Sequence, residues 1–200
     1  MAFPDYRTWV DTVVHPRERL ATRNSPWCFE DPLWHATYRR KHDIAFAINP
    51  SSILEIGVRY GYSAHAFLSA CPDAHYIGVD CDDGVLNAMG EPTLEWAAGM
   101  VKRTTGVTAD ELLRMNTQTA QIPGDCHSAL VHVDADHSFS GCLGDLHQAW
   151  RLCSRAVLVD DYGSIATVQD AVHAFVRESG ATLLQTPGFL GDALLLRSAP

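Results

Sequence analysis

The sequence has few features of a membrane, secreted or disulfide-bonded protein. No apolar run among its 200 residues approaches the roughly 18 to 20 residues of a membrane span. The start, MAFPDYRTW, has neither the basic nor the apolar region of a signal peptide. Its six cysteines show no C-x-x-C spacing, so the sequence encodes neither a zinc knuckle nor a disulfide framework. We therefore expect a cytoplasmic protein with reduced cysteines and no membrane partner.

Positive charge is also scarce. The formal net charge is −9 at pH 7, whereas nucleic-acid binding depends largely on clustered lysine and arginine. The basic cluster Arg39-Arg40-Lys41 is too short to reverse this balance, and we interpret it as a solvated helix face. A nucleic-acid partner is therefore not expected. With 46% hydrophobic and 20% charged residues, the composition is that of an ordinary globular protein with a sizeable core.

What the chain does contain is an alternation of short apolar runs and helical patterns from Ser51 onward. This alternation predicts an α/β fold with a Rossmann-like, doubly wound sheet that is mostly parallel and carries helices on both faces. The final apolar runs, on either side of Thr186-Pro187-Gly188, predict a C-terminal antiparallel hairpin. We divide the chain into a small helical N-terminal cap, residues 1–50, and one main domain, residues 51–200.

Two further segments bear on the site. In the cap, the pattern PLWHATYRRKHDIAFAI predicts a helix over residues 32–48 that ends at Asn49-Pro50. Its aromatic residues, together with Trp27, either line an acceptor pocket or anchor the cap to the sheet. The third strand is predicted at RMNT, residues 114–117, after a helical region within residues 84–113.

The first strand, ILEIG, runs into a turn with two glycines, Gly57 and Gly61, before a helix begins. In doubly wound sheets, ligands bind outside the carboxyl ends of the strands, where the strand order reverses. The glycine spacing is neither G-x-G-x-x-G nor the phosphate loop G-x-x-x-x-G-K-S/T, which disfavours a pyrophosphate ligand. Glu55 supports this exclusion, because a carboxylate facing the pocket would repel phosphate and attract a cation.

The next strand, HYIGVD, ends in Asp80, where an acid commonly accepts hydrogen bonds from ribose hydroxyls. A ligand with a ribose and a positive charge but no phosphate is S-adenosylmethionine. The run E-I-G-x-x-x-G-x-S followed by this acid resembles the class I methyltransferases that depend on this cofactor. The alternative is that the glycines only form a tight turn and that Asp80 caps a helix. The predicted cofactor-binding residues are Glu55, Gly57, Tyr60, Gly61, Ser63, Asp80, Cys81, Thr117 and Asp134.

Two later strands each end in acids. The fourth, VHVDADH, leads to Asp134, Asp136 and His137, and the fifth, LVDDYGS, leads to Asp160 and Asp161. Adjacent parallel strands lie roughly 4.8 Å apart, so these carboxylates meet at one sheet edge and repel one another unless a cation is bound. Oxygen ligands favour Mg²⁺, or Ca²⁺ and Mn²⁺, over Zn²⁺. The alternative is that these aspartates cap helices.

The same motifs carry a second, narrower resemblance. D-A-D-H-S-F-x-G followed by a strand and D-D-Y resembles the metal-dependent small-molecule O-methyltransferases related to macrocin O-methyltransferase, which include sugar methylases of antibiotic pathways. The resemblance implies Asp134, Asp160 and Asp161 as metal ligands. It also implies Asp136 or His137 as the catalytic base.

This sequence departs from that group at two points. Ser154-Arg155 stands where the group has a glycine pair before the fifth strand, and the N-terminal cap is short. The first departure affects the geometry of the turn. The second leaves the substrate pocket and the oligomeric state open, a homodimer included.

The predicted reaction is methyl transfer to a hydroxyl of a small molecule, such as a sugar, a diol or a catechol. We expect His137 rather than Asp136 to take the proton, because a carboxylate next to a metal is a poor proton acceptor. His132 is not expected to bind metal, since it lies five residues after His127 and the two side chains do not share a strand face. The alternatives are a non-catalytic protein that binds S-adenosylmethionine or metal, and a Rossmann-type NAD-dependent oxidoreductase, which should show the dinucleotide glycine spacing.

Overall fold

Seven strands form one sheet within residues 2–19, 29, 31–84, 90–109, 111–187 and 191–197, which the computed structural model describes. The strands are β1 (Ser52–Ile56), β2 (His75–Asp80), β3 (Glu111–Arg114), β4 (Ser128–Val133), β5 (Cys153–Val159), β6 (Thr182–Gln185) and β7 (Ala193–Leu196). The α-helices are α1 (Tyr6–Thr12), α2 (Pro16–Arg19), α3 (Pro32–Ile48), α4 (Tyr62–Ala70), α5 (Leu94–Thr105), α6 (Phe139–Leu152) and α7 (Ala166–Ser179). A short 3₁₀ helix covers Gly124–Cys126.

The strand order is β3-β2-β1-β4-β5-β7-β6, so the order reverses between β1 and β4. β1 pairs in parallel with both β2 and β4, and β5 continues the parallel part beside β4. β7 runs antiparallel to β5 and pairs with β6 as the C-terminal hairpin. The predicted doubly wound, mostly parallel sheet with a terminal hairpin is therefore confirmed. Ligands in such sheets bind at the carboxyl ends of strands near the reversal point.

Two apolar layers hold the helices against the sheet. Ile53 and Leu158 face one layer, which also contains apolar residues of α1, α3, α4 and α5. Leu54 and Val157 face the other layer, with apolar residues of α6 and α7. The strands alternate because successive side chains of a strand point to opposite faces. Burying an aliphatic side chain of this size contributes about 1.5–3 kcal/mol. This gain fixes which residues of each strand face each apolar layer.

Helix α3 has the predicted bounds, because residues with capping side chains or special backbone conformations stand at both of its ends. The side chain of Asp31 accepts a hydrogen bond from the backbone N–H of Leu33, and Pro32 occupies the first turn, where its missing N–H costs nothing. At the other end, Asn49 adopts the left-handed conformation with φ 48°. These residues set where the helix begins and where it ends. No helix among the described residues is long and apolar enough to cross a membrane.

Two predicted segments differ from the structure. The third strand is Glu111–Arg114 and not residues 114–117, and it is only partly buried at the sheet edge. The helix before it, α5, ends at Thr105 because Gly106 follows in the left-handed conformation. The predicted extension of this helical region to about residue 113 is therefore wrong. Residues 85–89, which the sequence predicts as helical, lie outside the described part of the chain.

Candidate active site

Of the two glycines after β1, Gly57 lets the ends of β1 and β4 approach each other, and Gly61 lets the start of α4 approach α5. Gly57 has φ 91°, and a β-carbon there would overlap the backbone carbonyl oxygen of Asp134. The N–H of Asp134 also donates to the carbonyl oxygen of Ile56 at 2.8 Å. Gly61 has φ 75° and begins α4, where a β-carbon would lie 3.0 Å from the β-carbon of Ala97. The glycines thus serve the close packing of the chain itself, and their cofactor role stays a prediction.

Asp80, the acid at the end of β2, closes the same turn. Its Oδ2 atom accepts hydrogen bonds from the N–H groups of Val58 and Arg59, both at 2.9 Å, and its Oδ1 atom accepts one from the N–H of Asp82 at 2.7 Å. The helix cap that we considered for Asp80 is provided by Asp82, whose Oδ1 atom accepts from the N–H of Leu94 at 3.0 Å. Asp80 therefore fixes the turn, and its contact with a ribose stays a prediction.

Glu55 is bonded within the protein, and its contact with a cofactor stays a prediction. Its side chain is buried, and both carboxylate oxygens have protein partners. The hydroxyl of Tyr76 donates to Oε2, and Nδ1 of His132 lies 3.0 Å from Oε1. The reason is the alternation of strand residues, which turns Glu55 toward the sheet face where Phe67 of α4 packs on His132, with ring centroids 5.1 Å apart.

The acids at the ends of β4 and β5 come together beside this turn. One oxygen each from Asp134 and Asp161 and one ring nitrogen of His137 lie within 4.8 Å of one another. Nε2 of His137 is 3.4 Å from Oδ1 of Asp134 and 3.6 Å from Oδ2 of Asp161. A second group, formed by His132, Asp134 and Asp160, meets the same distance limit. Asp134 is common to both groups, with Asp161 in the first and Asp160 in the second, so the three predicted ligands do not form one group. His137, one of the two predicted bases, belongs to the first group, and His132, which we did not expect at a metal site, belongs to the second.

Crowding of these acids shifts their protonation. Burial, followed by the negative charge of Asp160, raises the pKa of Asp134 to about 7. Burial and Asp160 also raise the pKa of Asp161. The hydrogen bond with Asp134, with the charges of the nearby aspartates, raises the pKa of His137 to about 9. The site is therefore strongly negative whenever its carboxylates are ionised.

Asp160 differs because it has a cationic partner. Burial by itself would raise the pKa of Asp160, but the ammonium group of Lys41 holds that pKa below its ordinary value. Nζ of Lys41 is 2.7 Å from Oδ1 of Asp160 and 2.7 Å from Oδ1 of Asp192, and Lys41 is fully buried. Nε of Arg40 lies 2.9 Å from Oδ2 of Asp192. The acidic site thus includes the ammonium group of Lys41 from α3. It also includes Asp192, beside β7, in addition to Asp134, Asp160 and Asp161.

The interpretation of residues 39–41 as a solvated helix face is therefore wrong for Lys41 and largely wrong for Arg40, whose side chain is 18% exposed. Lys41 lies on the face of α3 that packs against the protein, which also includes Trp34, Tyr38 and Ala45. That spacing of three or four residues was a signal in the sequence. A lysine in line with an apolar helix face needs a partner if it is buried.

Asp136 and His137 point in different directions. Oδ1 of Asp136 accepts a hydrogen bond from the N–H of Ser138 at 2.8 Å, and its carboxyl group packs against Gly141 so closely that a β-carbon there would overlap it. Ser138 caps α6 by accepting from the N–H of Gly141 at 3.1 Å. Asp136 therefore stabilises the turn before α6, which Ser138 caps, whereas the ring of His137 faces the acids.

The remaining predicted cofactor residues lie around the turn. Tyr60 is buried and stacks on His15, with ring centroids 4.2 Å apart and planes 9° apart. Ser63 is buried in α4, Cys81 directly follows β2, and Thr117 lies in a turn after β3. Their contacts with a cofactor stay predictions.

The aromatic residues of the cap anchor it to the protein. Tyr38 is buried and contacts Tyr62 of α4, with ring centroids 5.6 Å apart, and Phe29 contacts the same ring at 5.3 Å. Of the two interpretations left open by the sequence, the described contacts match the anchor. Trp27 lies outside the described residues.

A comparison with protein families decides what kind of protein carries this geometry. The family described as a methyltransferase domain matches residues 54–162. The chain belongs to this methyltransferase family. The predicted membership of the class I methyltransferases is confirmed, and with it the prediction of an enzyme. No curated protein matches the chain.

Solved structures share the fold of this methyltransferase. PaMTH1 of Podospora anserina, bound to S-adenosylhomocysteine, has a TM-score of 0.65 at 16% identity, over 98% of this chain and 89% of the other. CalS11, a TDP-rhamnose 3′-O-methyltransferase of calicheamicin biosynthesis, has a TM-score of 0.60 at 16% identity, over 96% and 91%. TomG of Streptomyces achromogenes, an O-methyltransferase of tomaymycin synthesis in complex with S-adenosylmethionine, has a TM-score of 0.58 at 21% identity, over 82% and 80%.

The family match covers only part of the site. Residues 54–162 include the glycine turn and the acids at the ends of β4 and β5. Lys41 and Asp192 lie outside this range: Lys41 is in α3, and Asp192 is in the connection between β6 and β7. In this methyltransferase, segments beyond the matched region therefore complete the charge of the site.

Proposed function

We propose that this methyltransferase transfers the methyl group of S-adenosylmethionine to a hydroxyl of a small molecule, and that a hard divalent cation held by Asp134, Asp160 and Asp161 assists the reaction. The observation that carries the proposal is that Asp134, beside the glycine turn at the reversal point of the sheet, groups with Asp160 on one side and with Asp161 on the other. Class I methyltransferases bind their cofactor at that turn, so donor and acceptor would meet next to the acids.

The charge of the site fits a divalent cation. Four aspartates contribute to it, at positions 134, 160, 161 and 192, whereas Lys41 and Arg40 supply two positive charges. With His137 protonated as well, as its raised pKa implies, about one negative charge is left when all four acids are ionised, and about two are left when His137 is neutral. Carboxylate oxygens are the donors that Mg²⁺ and Mn²⁺ prefer. The donor set and the uncompensated charge therefore both support such an ion.

When bound, the cation would supply Lewis-acid chemistry, lowering the pKa of a substrate hydroxyl and favouring substrates with two neighbouring oxygens. His137 is our candidate for the base, because Nε2 of its ring faces the acids while Asp136 is used in the turn before α6. Free carboxylates keep the pKa of His137 at about 9, and neutralising their charge lets that pKa fall toward the range in which imidazole accepts a proton.

The proposed reaction is a direct displacement at the methyl carbon of the donor. The hydroxyl proton passes to Nε2 of His137, and the oxygen attacks the methyl carbon in line with the carbon–sulfur bond. That bond breaks, and its electron pair stays on sulfur. The products are a methyl ether and S-adenosylhomocysteine. The protein's part is to orient donor and acceptor at the turn and to hold the proton acceptor beside the oxygen.

The substrate class is a sugar, a diol or a catechol, in natural-product biosynthesis. The acids support it, since neighbouring oxygens match a divalent cation, and CalS11, with the same fold, is a sugar O-methyltransferase. The two alternative functions have less support. An NAD-dependent oxidoreductase lacks the expected glycine spacing, and a non-catalytic binding protein gives no reason for His137 to stand beside the acids.

The test is a methylation assay with catechol and vicinal-diol acceptors, followed by mass spectrometry, with Mg²⁺ or with EDTA. We expect turnover with Mg²⁺, loss of turnover in EDTA, and loss in Asp160→Asn. Asp170→Asn, a change to an exposed acid of α7, is the matched control. Full turnover after chelation would remove the cation from the mechanism. Absence of S-adenosylmethionine binding in calorimetry would overturn the whole proposal.

A further inference from the structure

Lys41 is a buried lysine that joins three separate parts of the chain. It comes from α3, and its Nζ atom contacts Asp160 at the end of β5 and Asp192 just before β7, at 2.7 Å each. None of its surface is exposed. A buried ammonium group is stable only when it is paired and hydrogen-bonded, and here both partners are carboxylates. The geometry is that of a built-in cation at the acidic site.

The two carboxylates are held in different ways. Asp192 is also bound by Arg40 at 2.9 Å, and its N–H donates to Oγ1 of Thr186 at 2.8 Å. Oδ1 of Asp160 accepts from the N–H of Asp161 at 2.9 Å in addition to Lys41. Asp192 is therefore fixed without Lys41, whereas the side chain of Asp160 depends on Lys41 for charge compensation.

We propose that Lys41 is a built-in cation that supplies part of the positive charge that the acidic site needs and thereby sets how tightly the site binds a divalent cation. This inference rests on the proposed cation site at Asp134, Asp160 and Asp161. Lys41 keeps the carboxylates together when no metal is bound. It also weakens metal binding, because a cation that enters the site meets an ammonium group already in contact with one of its ligands.

The direction of this effect separates it from a purely structural role. A lysine that only supports the fold would, when replaced, disturb Asp160 and weaken metal binding. A lysine that supplies charge would, when replaced by a neutral residue, leave the acids more negative and strengthen metal binding. Repulsion between a dication and an ammonium a few ångströms away is large enough, even with water-like screening, to change affinity by about tenfold.

The experiment compares Mn²⁺ binding by calorimetry, with the electron paramagnetic resonance signal of free Mn²⁺ as a second readout. The variants are Lys41→Met, which removes the charge, and Lys41→Arg, which keeps it. Lys102→Met is the control, because it removes the same charge from an exposed position of α5. We expect Lys41→Met to bind Mn²⁺ at least about tenfold more tightly than wild type. Lys41→Arg and Lys102→Met should stay close to wild type.

The outcomes separate this inference from the proposed function. If wild type does not bind Mn²⁺ but Lys41→Met does, the lysine inference holds and the metal part of the proposed function fails. If wild type binds Mn²⁺ and Lys41→Met binds it equally or more weakly, the lysine inference fails alone. If neither binds, both fail. Should Lys41→Met be unfolded without metal, refolding in Mn²⁺ supports the inference, and failure to refold in Mn²⁺ overturns it.

Discussion

Replacing Asp134 with asparagine should stabilise the metal-free protein, although it removes a predicted metal ligand. The pKa of Asp134 is raised from 3.8 to about 7 in the folded chain. A proton bound to such a carboxyl stabilises the fold fully below the pKa of the unfolded chain, and this contribution is lost as the pH rises through 7. At about 1.4 kcal/mol for each pKa unit, the loss is about 4 kcal/mol at pH 8 and less than half of that at pH 5.

An uncharged asparagine avoids this loss. Asp134→Asn should therefore be more stable than wild type at pH 8, with a smaller gain at pH 5. The gain at pH 8 is at most about 4 kcal/mol, because the variant also loses the pairing with protonated His137. In a chain of this length, this upper limit corresponds to an increase in Tm of roughly 8 to 16 °C. Thermal unfolding in EDTA, followed by circular dichroism at both pH values, measures it.

The control for Asp134→Asn is Asp170→Asn. Asp170→Asn removes an exposed acid and should leave the Tm unchanged at either pH. Mg²⁺ should raise the Tm of wild type and not that of Asp134→Asn, because a bound ligand stabilises only the state that binds it. A variant with no gain at pH 8, or with the same gain at both pH values, would refute the electrostatic account of the site.

Two further predictions concern the base and the turn. His137→Ala should lower kcat by about 10²- to 10⁴-fold if its ring takes the proton, whereas Asp136→Asn should lower it less; a larger loss for Asp136→Asn would reverse this assignment. Gly57→Ala should cost more than about 2 kcal/mol in urea unfolding, because the new methyl group meets the backbone of β4. Gly106→Ala, with φ 74° and open space around it, should cost clearly less, and equal costs would contradict the packing argument.

Local sequence patterns were enough for the central strands and their helices. Helix α3 has the predicted bounds because Asn49 ends it in the left-handed conformation, and α4 begins after the glycine turn as predicted because Gly61 adopts a positive φ there. β3 was misplaced because it is an edge strand with half-exposed residues, so its apolar pattern is weak. The acids at the ends of β4 and β5 were predictable since parallel strands bring their carboxyl ends to one edge.

The partners of these acids could not be read from local patterns. Lys41 and Asp192 are 151 residues apart in sequence, and only the packing of α3 and the pairing of β7 bring them into contact. Glu55 shows the same limit, since its partners Tyr76 and His132 belong to neighbouring strands. A period of two predicts which face a strand residue occupies, but the polar groups on that face depend on strand order.

This distinction matters for what the acidic motifs can indicate. Carboxylates that converge at a sheet edge require positive charge, and a motif search assigns that charge to a metal. In this chain, part of the charge comes from Lys41, which lies outside the region shared with the methyltransferase family. The motif therefore identifies the acids, but the number of charges left for an external cation depends on α3 and the hairpin. Metal affinity in such a site is a property of the whole fold, and substitutions far from the motif in sequence should change it.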